Sequence, residues 1–86
     1  MTMLLLLTVF VDVVRPGRGL VTGQGWQGEI VRDGSAYSVE NQDQEVIGRV
    51  RSYRDGARLL AEHYGHPGQG VRVDIDHEHR RRGRLL

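Results

Sequence analysis

The segment RSYRDGARLLAEHYG, residues 51–65, constrains the fold most, because no other stretch of the chain has helical periodicity. Its apolar residues recur at steps of four, three and four, which places them on one stripe of a helix. These residues are Tyr53, Ala57, Leu60 and Tyr64. Ser52 stands at the N-cap position, and Gly65 is typical of the residue that ends a helix. A helix with one apolar stripe needs an apolar surface to cover, so the segment predicts a helix packed on a sheet.

Alternating residues on both sides of this helix predict the strands of that sheet. Residues 26–31 alternate up to Asp33-Gly34, a dipeptide typical of a two-residue hairpin, and the next strand follows at residues 37–39. Residues 46–50 lead straight into the helix, and residues 71–75 alternate after it. The predicted fold class is α+β: an antiparallel sheet of three to five strands with one helix packed on one face. Its order is β-β-β-α-β, with or without an extra N-terminal strand.

The N-terminal quarter of the chain is less regular. Residues 15–25 are rich in glycine and contain a proline, so they predict a loop or a hinge. Residues 3–14 are almost wholly apolar, but they include Asp12 and fall short of the roughly 20 apolar residues of a membrane-spanning helix. They also lack the preceding basic residues of a secretory signal. Residues 1–14 therefore predict an apolar strand, either central in the sheet or covered by a second subunit, or else an appendage.

Length and composition limit the possible classes of protein. The 86 residues have room for one small domain, whose core is barely sufficient without a partner, so homodimerisation or a protein partner is expected. The chain has no cysteine, which excludes disulfides and thiol nucleophiles and favours a cytoplasmic location. The net charge of +1 is small for a protein that coats nucleic acid. Residues 77–86 predict a basic, flexible tail.

The charged residues are segregated along the chain. Residues 29–45 are mainly acidic, whereas residues 49–58 are rich in arginine. A strand end and the first helical turns bring these arginines together, and such a cluster can hold phosphates or the carboxylates of an acidic partner. Arginines of the tail can add a basic arm that gains order on nucleic acid. The candidate binding residues are Arg49, Arg51, Arg54, Arg58, Arg80, Arg81, Arg82 and Arg84. A solvated helix face is the alternative interpretation.

Other motifs do not indicate catalysis. Residues 23–28 spell G-x-G-x-x-G, but the next residues alternate like a strand, whereas the dinucleotide fingerprint needs a helix there. His63, His66, His77 and His79 are candidate zinc or nickel ligands, although neither an H-E-x-x-H motif nor a cysteine supports them. No G-x-S-x-G elbow is present. We therefore predict a protein that is not an enzyme and has no cofactor.

The predicted layout resembles a known family. Three strands, a helix that begins with Ser-x-x-acid-x-Ala at Ser52, Asp55 and Ala57, and a closing strand are similar to the small HicB-like antitoxin fold. The resemblance covers residues 25–76, without the Pro-Gly-Cys element that commonly precedes the family's helix. It implies a non-catalytic module that binds a protein partner and dimerises. A second resemblance is to the arm-type DNA-binding domain of phage integrases, in which three strands carry a helix.

Together these features predict a non-catalytic binding module. We expect it to contact another protein or a second copy of the chain, with the apolar N-terminal strand at the contact. Nucleic-acid binding through the arginines is the second hypothesis, and a metal-dependent activity at the histidines is the third. No association with a membrane is predicted.

Overall fold

The structure, a computed structural model, describes residues 7–66 and 70–80, which form a sheet with a helix packed on it. The strands are β1 (Leu7–Arg15), β2 (Arg18–Thr22), β3 (Gln27–Asp33), β4 (Ala36–Glu40), β5 (Val46–Val50) and β6 (Val71–Asp76), and the helix α1 spans Tyr53–His63. Within the described residues the six strands lie in the order β5-β4-β3-β2-β1-β6. β1 and β6 are parallel, and every other neighbouring pair is antiparallel.

The α+β class is confirmed, but the sheet is larger than the sequence predicted. It has six strands instead of three to five, and it is mixed because β1 and β6 run in parallel. The unexpected strand is β2, which lies within residues 15–25, the segment predicted to be a loop or a hinge. Gly17 has a positive φ of 86°, which suits the tight turn from β1 into β2. Gly17 therefore marks a hairpin turn and not a hinge.

β1 lies inside the sheet, between β2 and β6. Its backbone pairs on both sides, so that Val11 stands opposite Val21 on β2 and Ile75 on β6. Alternate residues of β1 are buried on the helix side of the sheet, whereas Phe10 points to the other face and is exposed. β1 is therefore an integral strand of the domain. Residues 1–6, and the part of the predicted tail at residues 81–86, lie outside the described residues.

A single apolar layer between the sheet and α1 forms the core. Its buried residues are Val9, Val11, Val13, Val21, Trp26, Ile30, Val39, Ala57, Leu60, Ala61, Val71 and Val73. Two glycines let the helix and the sheet approach closely. A Cβ atom on Gly28 would lie 2.7 Å from Cδ1 of Leu60, and one on Gly56 would lie 2.6 Å from Cδ1 of Ile30. The backbone of β3 at Gly28 therefore contacts the Leu60 side chain of the helix, and the helix backbone at Gly56 contacts the Ile30 side chain of the sheet.

The start of α1 is fixed by two interactions. The Oγ atom of Ser52 accepts a hydrogen bond from the backbone N–H of Asp55 at 3.1 Å, which confirms the predicted N-cap. The next residue, Tyr53, accepts a hydrogen bond from the backbone N–H of Gly17 at its hydroxyl oxygen, at 3.0 Å. Its ring lies 4.8 Å from the ring of Tyr37. Tyr53 thus joins the helix to the turn between β1 and β2.

We expect Gly56→Ala to destabilise the domain although alanine is the better helix former. The gain in helix propensity is about 1 kcal/mol, but overpacking a core typically costs about 1–3 kcal/mol. The free energy of unfolding in urea should fall, while Glu62→Ala on the exposed side of α1 should change it by less than about 0.5 kcal/mol. A Gly56→Ala protein as stable as the wild type would contradict the close contact with Ile30.

Tyr53→Phe should lower stability in a pH-dependent way. Loss of the hydrogen bond from Gly17 should cost about 1 kcal/mol near neutral pH. Burial raises the pKa of Tyr53 above its ordinary value of 10.0, so the fold favours the protonated phenol. That contribution is complete below pH 10.0 and is lost as the pH rises through the raised pKa. The difference in unfolding free energy between wild type and variant should therefore stay constant up to about pH 10 and shrink as the pH rises further. A difference in unfolding free energy that stays constant at these higher pH values would contradict the raised pKa of Tyr53.

Candidate functional site

The arginines predicted to cluster are divided between the two edges of the sheet. Arg49 lies on β5, where its Nη2 atom donates to the backbone carbonyl of Asp33 at 3.1 Å and lies 3.5 Å from the Asp33 carboxylate. Arg54 lies on α1, and its Nη1 atom donates to the backbone carbonyl of Val73 on β6 at 3.2 Å. Asp33 is the last residue of β3, whereas β6 is an edge strand, so the two guanidinium groups contact different parts of the sheet.

Among the described residues, Arg49 and Arg51 are the candidate arginines that line a common cleft. Arg49 and Arg51 line an open cleft of about 760 Å³ at the end of β5, together with Ser35, Ala36 and Val50. Arg58 is exposed on α1, and Arg80 is exposed at the end of the described residues. Arg81, Arg82 and Arg84 lie outside the described residues. The described arginines therefore do not form one continuous phosphate-binding surface.

Arg54 has a structural partner that the sequence did not indicate. β6 is an edge strand, and the outer side of such a strand presents backbone groups without a neighbouring strand. The bond from Arg54 to the carbonyl of Val73 satisfies one of these groups. Arg54 is therefore part of the protection of the β6 edge, and the solvated helix face is the better description of Arg58.

The histidines lie in two separate places. Nδ1 of His79 is 3.1 Å from the carbonyl oxygen of Val13, and the rings of His77 and His79 are 5.8 Å apart. At the other site His63 packs edge-on against Tyr64, 4.8 Å between ring centroids. Within residues 7–66 and 70–80, no group of three or more His, Asp or Glu side chains is placed to hold a metal ion. The described geometry therefore gives the metal hypothesis no support.

Trp26 belongs to an aromatic cluster in the core. Its ring stacks on Tyr64 with the centroids 5.0 Å apart, and the hydroxyl of Tyr64 accepts a hydrogen bond from the backbone N–H of Gln42 at 3.0 Å. A Cβ atom on Gly23 would lie 2.1 Å from Cε2 of Trp26, so the indole needs a glycine at that position. The G-x-G-x-x-G sequence leads into the strand β3, as expected from the alternation, and it makes no phosphate-binding helix start.

The face of the sheet opposite α1 is exposed at the middle of β1 and β2, and we call it the open face. Phe10 on β1 and Leu20 on β2 lie on it, with 54 % and 39 % of their surface exposed. Phe10 stands opposite Thr22, and Asp12 stands opposite Leu20, which makes the two large apolar side chains diagonal neighbours. Such neighbours lie about 7–8 Å apart, within reach of a single contacting group.

Acidic residues surround this apolar pair. Asp74 on β6 stands opposite Phe10, and Glu29 on β3, which pairs with Arg18, stands opposite Leu20. The acidic residues of the open face are Asp12, Glu29, Asp33, Glu40, Asp74 and Asp76, whereas its arginines are Arg18, Arg49 and Arg72. The sequence does not reveal this surface, because the glycines around β2 are typical of a loop and no local pattern specifies the neighbours of β1.

Comparison with known proteins gives no match: no family model, no curated protein and no solved structure is significantly similar to the chain. The resemblance to the HicB-like fold therefore stays a prediction. None of the described helices has the length and apolar character that crossing a membrane requires.

The contact of Arg54 with β6 can be tested against a second arginine of the same helix. Arg54→Ala should lower the free energy of unfolding by about 1 kcal/mol, because it leaves the carbonyl of Val73 without its donor. Arg58→Ala removes the same charge from an exposed site and should change stability by less than about 0.5 kcal/mol. Equal effects of the two substitutions in urea unfolding would show that the bond to Val73 contributes nothing specific.

Proposed function

We propose that this protein is a non-catalytic binding module that contacts another protein through the open face of its sheet. The observation that carries the proposal is the pair Phe10 and Leu20, two large apolar side chains exposed as neighbours on an uncovered surface. Exposed apolar residues surrounded by polar ones are typical of protein interaction sites. A contact centred on an aromatic side chain also has the usual form of an energetic hot spot.

The charges around this pair favour a particular kind of partner. Asp74 is exposed beside Phe10, and Glu40 lies further along the same face. Such a surface attracts a partner that presents an apolar anchor flanked by arginine or lysine. If two copies packed open face to open face, carboxylates of one copy would lie against carboxylates of the other, which is unfavourable. The proposed occupant is therefore a different protein with a basic, partly apolar contact surface.

The geometry favours a side-chain contact through the N-terminal strand β1 over the addition of a partner strand to it. β1 has strand neighbours on both sides, so its backbone has no free edge to which a partner strand could add. Phe10 is the part of β1 that remains accessible. The acidic character of the same face disfavours nucleic-acid phosphates there, which makes a protein the better candidate. The absence of cysteine favours a cytoplasmic setting for the interaction.

Site-specific photo-crosslinking in cells that express the protein tests the proposal. We expect benzoylphenylalanine in place of Phe10 to form a defined adduct with a different protein, and the same probe in place of Glu62, on the exposed side of α1, to form none. The partner is then identified by mass spectrometry and purified. In a binding assay, Leu20→Asp should raise the Kd at least about tenfold, which corresponds to about 1.4 kcal/mol. Glu40→Lys should also weaken binding, because it reverses a charge that faces the basic partner.

Two results would contradict the proposal. One is an adduct pattern that does not distinguish position 10 from position 62. The other is a purified partner whose Kd is unchanged by both Leu20→Asp and Glu40→Lys. If instead the protein binds labelled duplex DNA, single-stranded DNA or RNA with an affinity that falls steeply with salt, the nucleic-acid hypothesis takes its place.

A further inference from the structure

The two edges of the sheet differ in their exposure to a further strand. At the β6 edge, the guanidinium of Arg54 donates a hydrogen bond to the carbonyl of Val73. At the other edge, β5 pairs with β4 alone, and a register shift leaves Ile47 without a partner in that ladder. Between described residues, no hydrogen bond outside the ladder with β4 uses the backbone of residues 46–50. The outward backbone groups of β5 are therefore open to water or to another strand.

β5 also has an ordered arrangement of charge. The exposed acids Asp43 and Glu45 precede the strand, and the exposed Arg49 and Arg51 stand at its end. Between them Val46 has 62 % of its surface exposed. The strand is thus acidic where it begins and basic where it ends, with an exposed apolar residue between the two regions. A second β5 strand that runs in the opposite direction therefore has its basic end beside the acidic start of the first.

We propose that a second copy of this chain adds to β5, edge to edge and antiparallel, so that the two sheets become continuous. A two-fold axis brings the acidic start of each β5 next to the basic end of the other, and the pairing occurs twice. If Ile47 lies nearest the axis, Glu45 meets Arg49 of the second copy. If Gly48 lies nearest the axis, Glu45 meets Arg51 instead. Either register pairs opposite charges across neighbouring strands, which stabilises a sheet.

Existing contacts leave these charges available. Arg49 donates to the Asp33 carbonyl at 3.1 Å and lies 3.5 Å from the Asp33 carboxylate, but both side chains are more than half exposed, so these contacts add little stability and can be exchanged for others. Arg51 has no hydrogen bond or ion pair with the described residues. Both arginines border the open cleft at the end of β5, where an incoming carboxylate has room.

The arrangement also limits assembly to two copies. An isologous contact uses the same edge of both subunits, so the combined sheet ends at a β6 strand on each side. These outer edges carry the bond between Arg54 and Val73, which hinders further strand addition. The dimer leaves the open face uncovered and does not depend on the function proposed above.

Sedimentation velocity of the full chain over a range of concentrations measures the self-association. We expect a reversible dimer, and we expect two charge variants to raise its dissociation constant at least tenfold. The acidic variant carries Arg49→Glu and Arg51→Glu, and the basic variant carries Asp43→Arg and Glu45→Arg. In each variant alone, like charges meet across the two-fold axis.

Mixing the two variants is the decisive step. The acidic and basic variants should form a heterodimer when combined, because their β5 strands again carry opposite charges. A control with Asp55→Arg and Glu62→Arg changes charge on α1 by the same amount and should dimerise like the wild type. Phe10→Ser should also dimerise like the wild type, which separates this contact from the open face.

Three outcomes would overturn the proposal. The wild type could remain monomeric throughout the concentration range, or the acidic and basic variants could both dimerise like the wild type. The third is two folded, monomeric variants that form no heterodimer on mixing. Hydrogen exchange provides an independent readout that needs no substitution: amides of residues 46–50 should become more protected as the wild-type concentration rises. A protection that is independent of concentration would likewise contradict strand addition at β5.

Discussion

The close packing of α1 on one face of the sheet is the contact on which the rest of the structure depends. Gly28 and Gly56 bring the helix so near the strands that Leu60 and Ile30 occupy the space where their Cβ atoms would stand. This approach allows a helix of 11 residues to bury the central valines of the sheet. The buried apolar residues of the described strands alternate toward α1, so the core lies on that side of the sheet.

Such a one-sided core leaves two kinds of surface with different chemistry. The open face carries Phe10 and Leu20 among carboxylates, which suits side-chain contacts with a basic partner. The β5 edge carries free backbone groups between acids and arginines, which suits pairing with its own reversed copy. The β6 edge differs from both surfaces, because Arg54 donates a hydrogen bond to its Val73 carbonyl. The polarised charge of the chain is thus distributed over surfaces of different chemical character.

Local signals predicted the local features well. Ser52 and Gly65 bound the helix as expected, since caps depend on a few adjacent residues. β2 was missed because its alternation is short and its glycines look like a loop, whereas Gly17 makes a turn and Gly23 accommodates Trp26. The parallel pairing of β1 with β6 could not be predicted, because it joins residues from opposite ends of the chain and no local pattern specifies that choice. The candidate arginine cluster failed for a related reason. Sequence proximity predicts that Arg49 and Arg54 lie together, but in the structure Arg49 contacts Asp33 on β3 and Arg54 contacts Val73 on β6.

The most direct test of this account is the accessibility of individual side chains to a soluble gadolinium chelate, measured by paramagnetic relaxation in NMR spectra of the monomeric protein. The account predicts strong relaxation enhancement for the ring of Phe10 and the methyl groups of Leu20, and almost none for the methyl groups of Val11 and Val21. These residues alternate on the same two strands, so only the face of the sheet differs between them. Equal protection of all four residues would show that the open face is covered and would contradict the one-sided core.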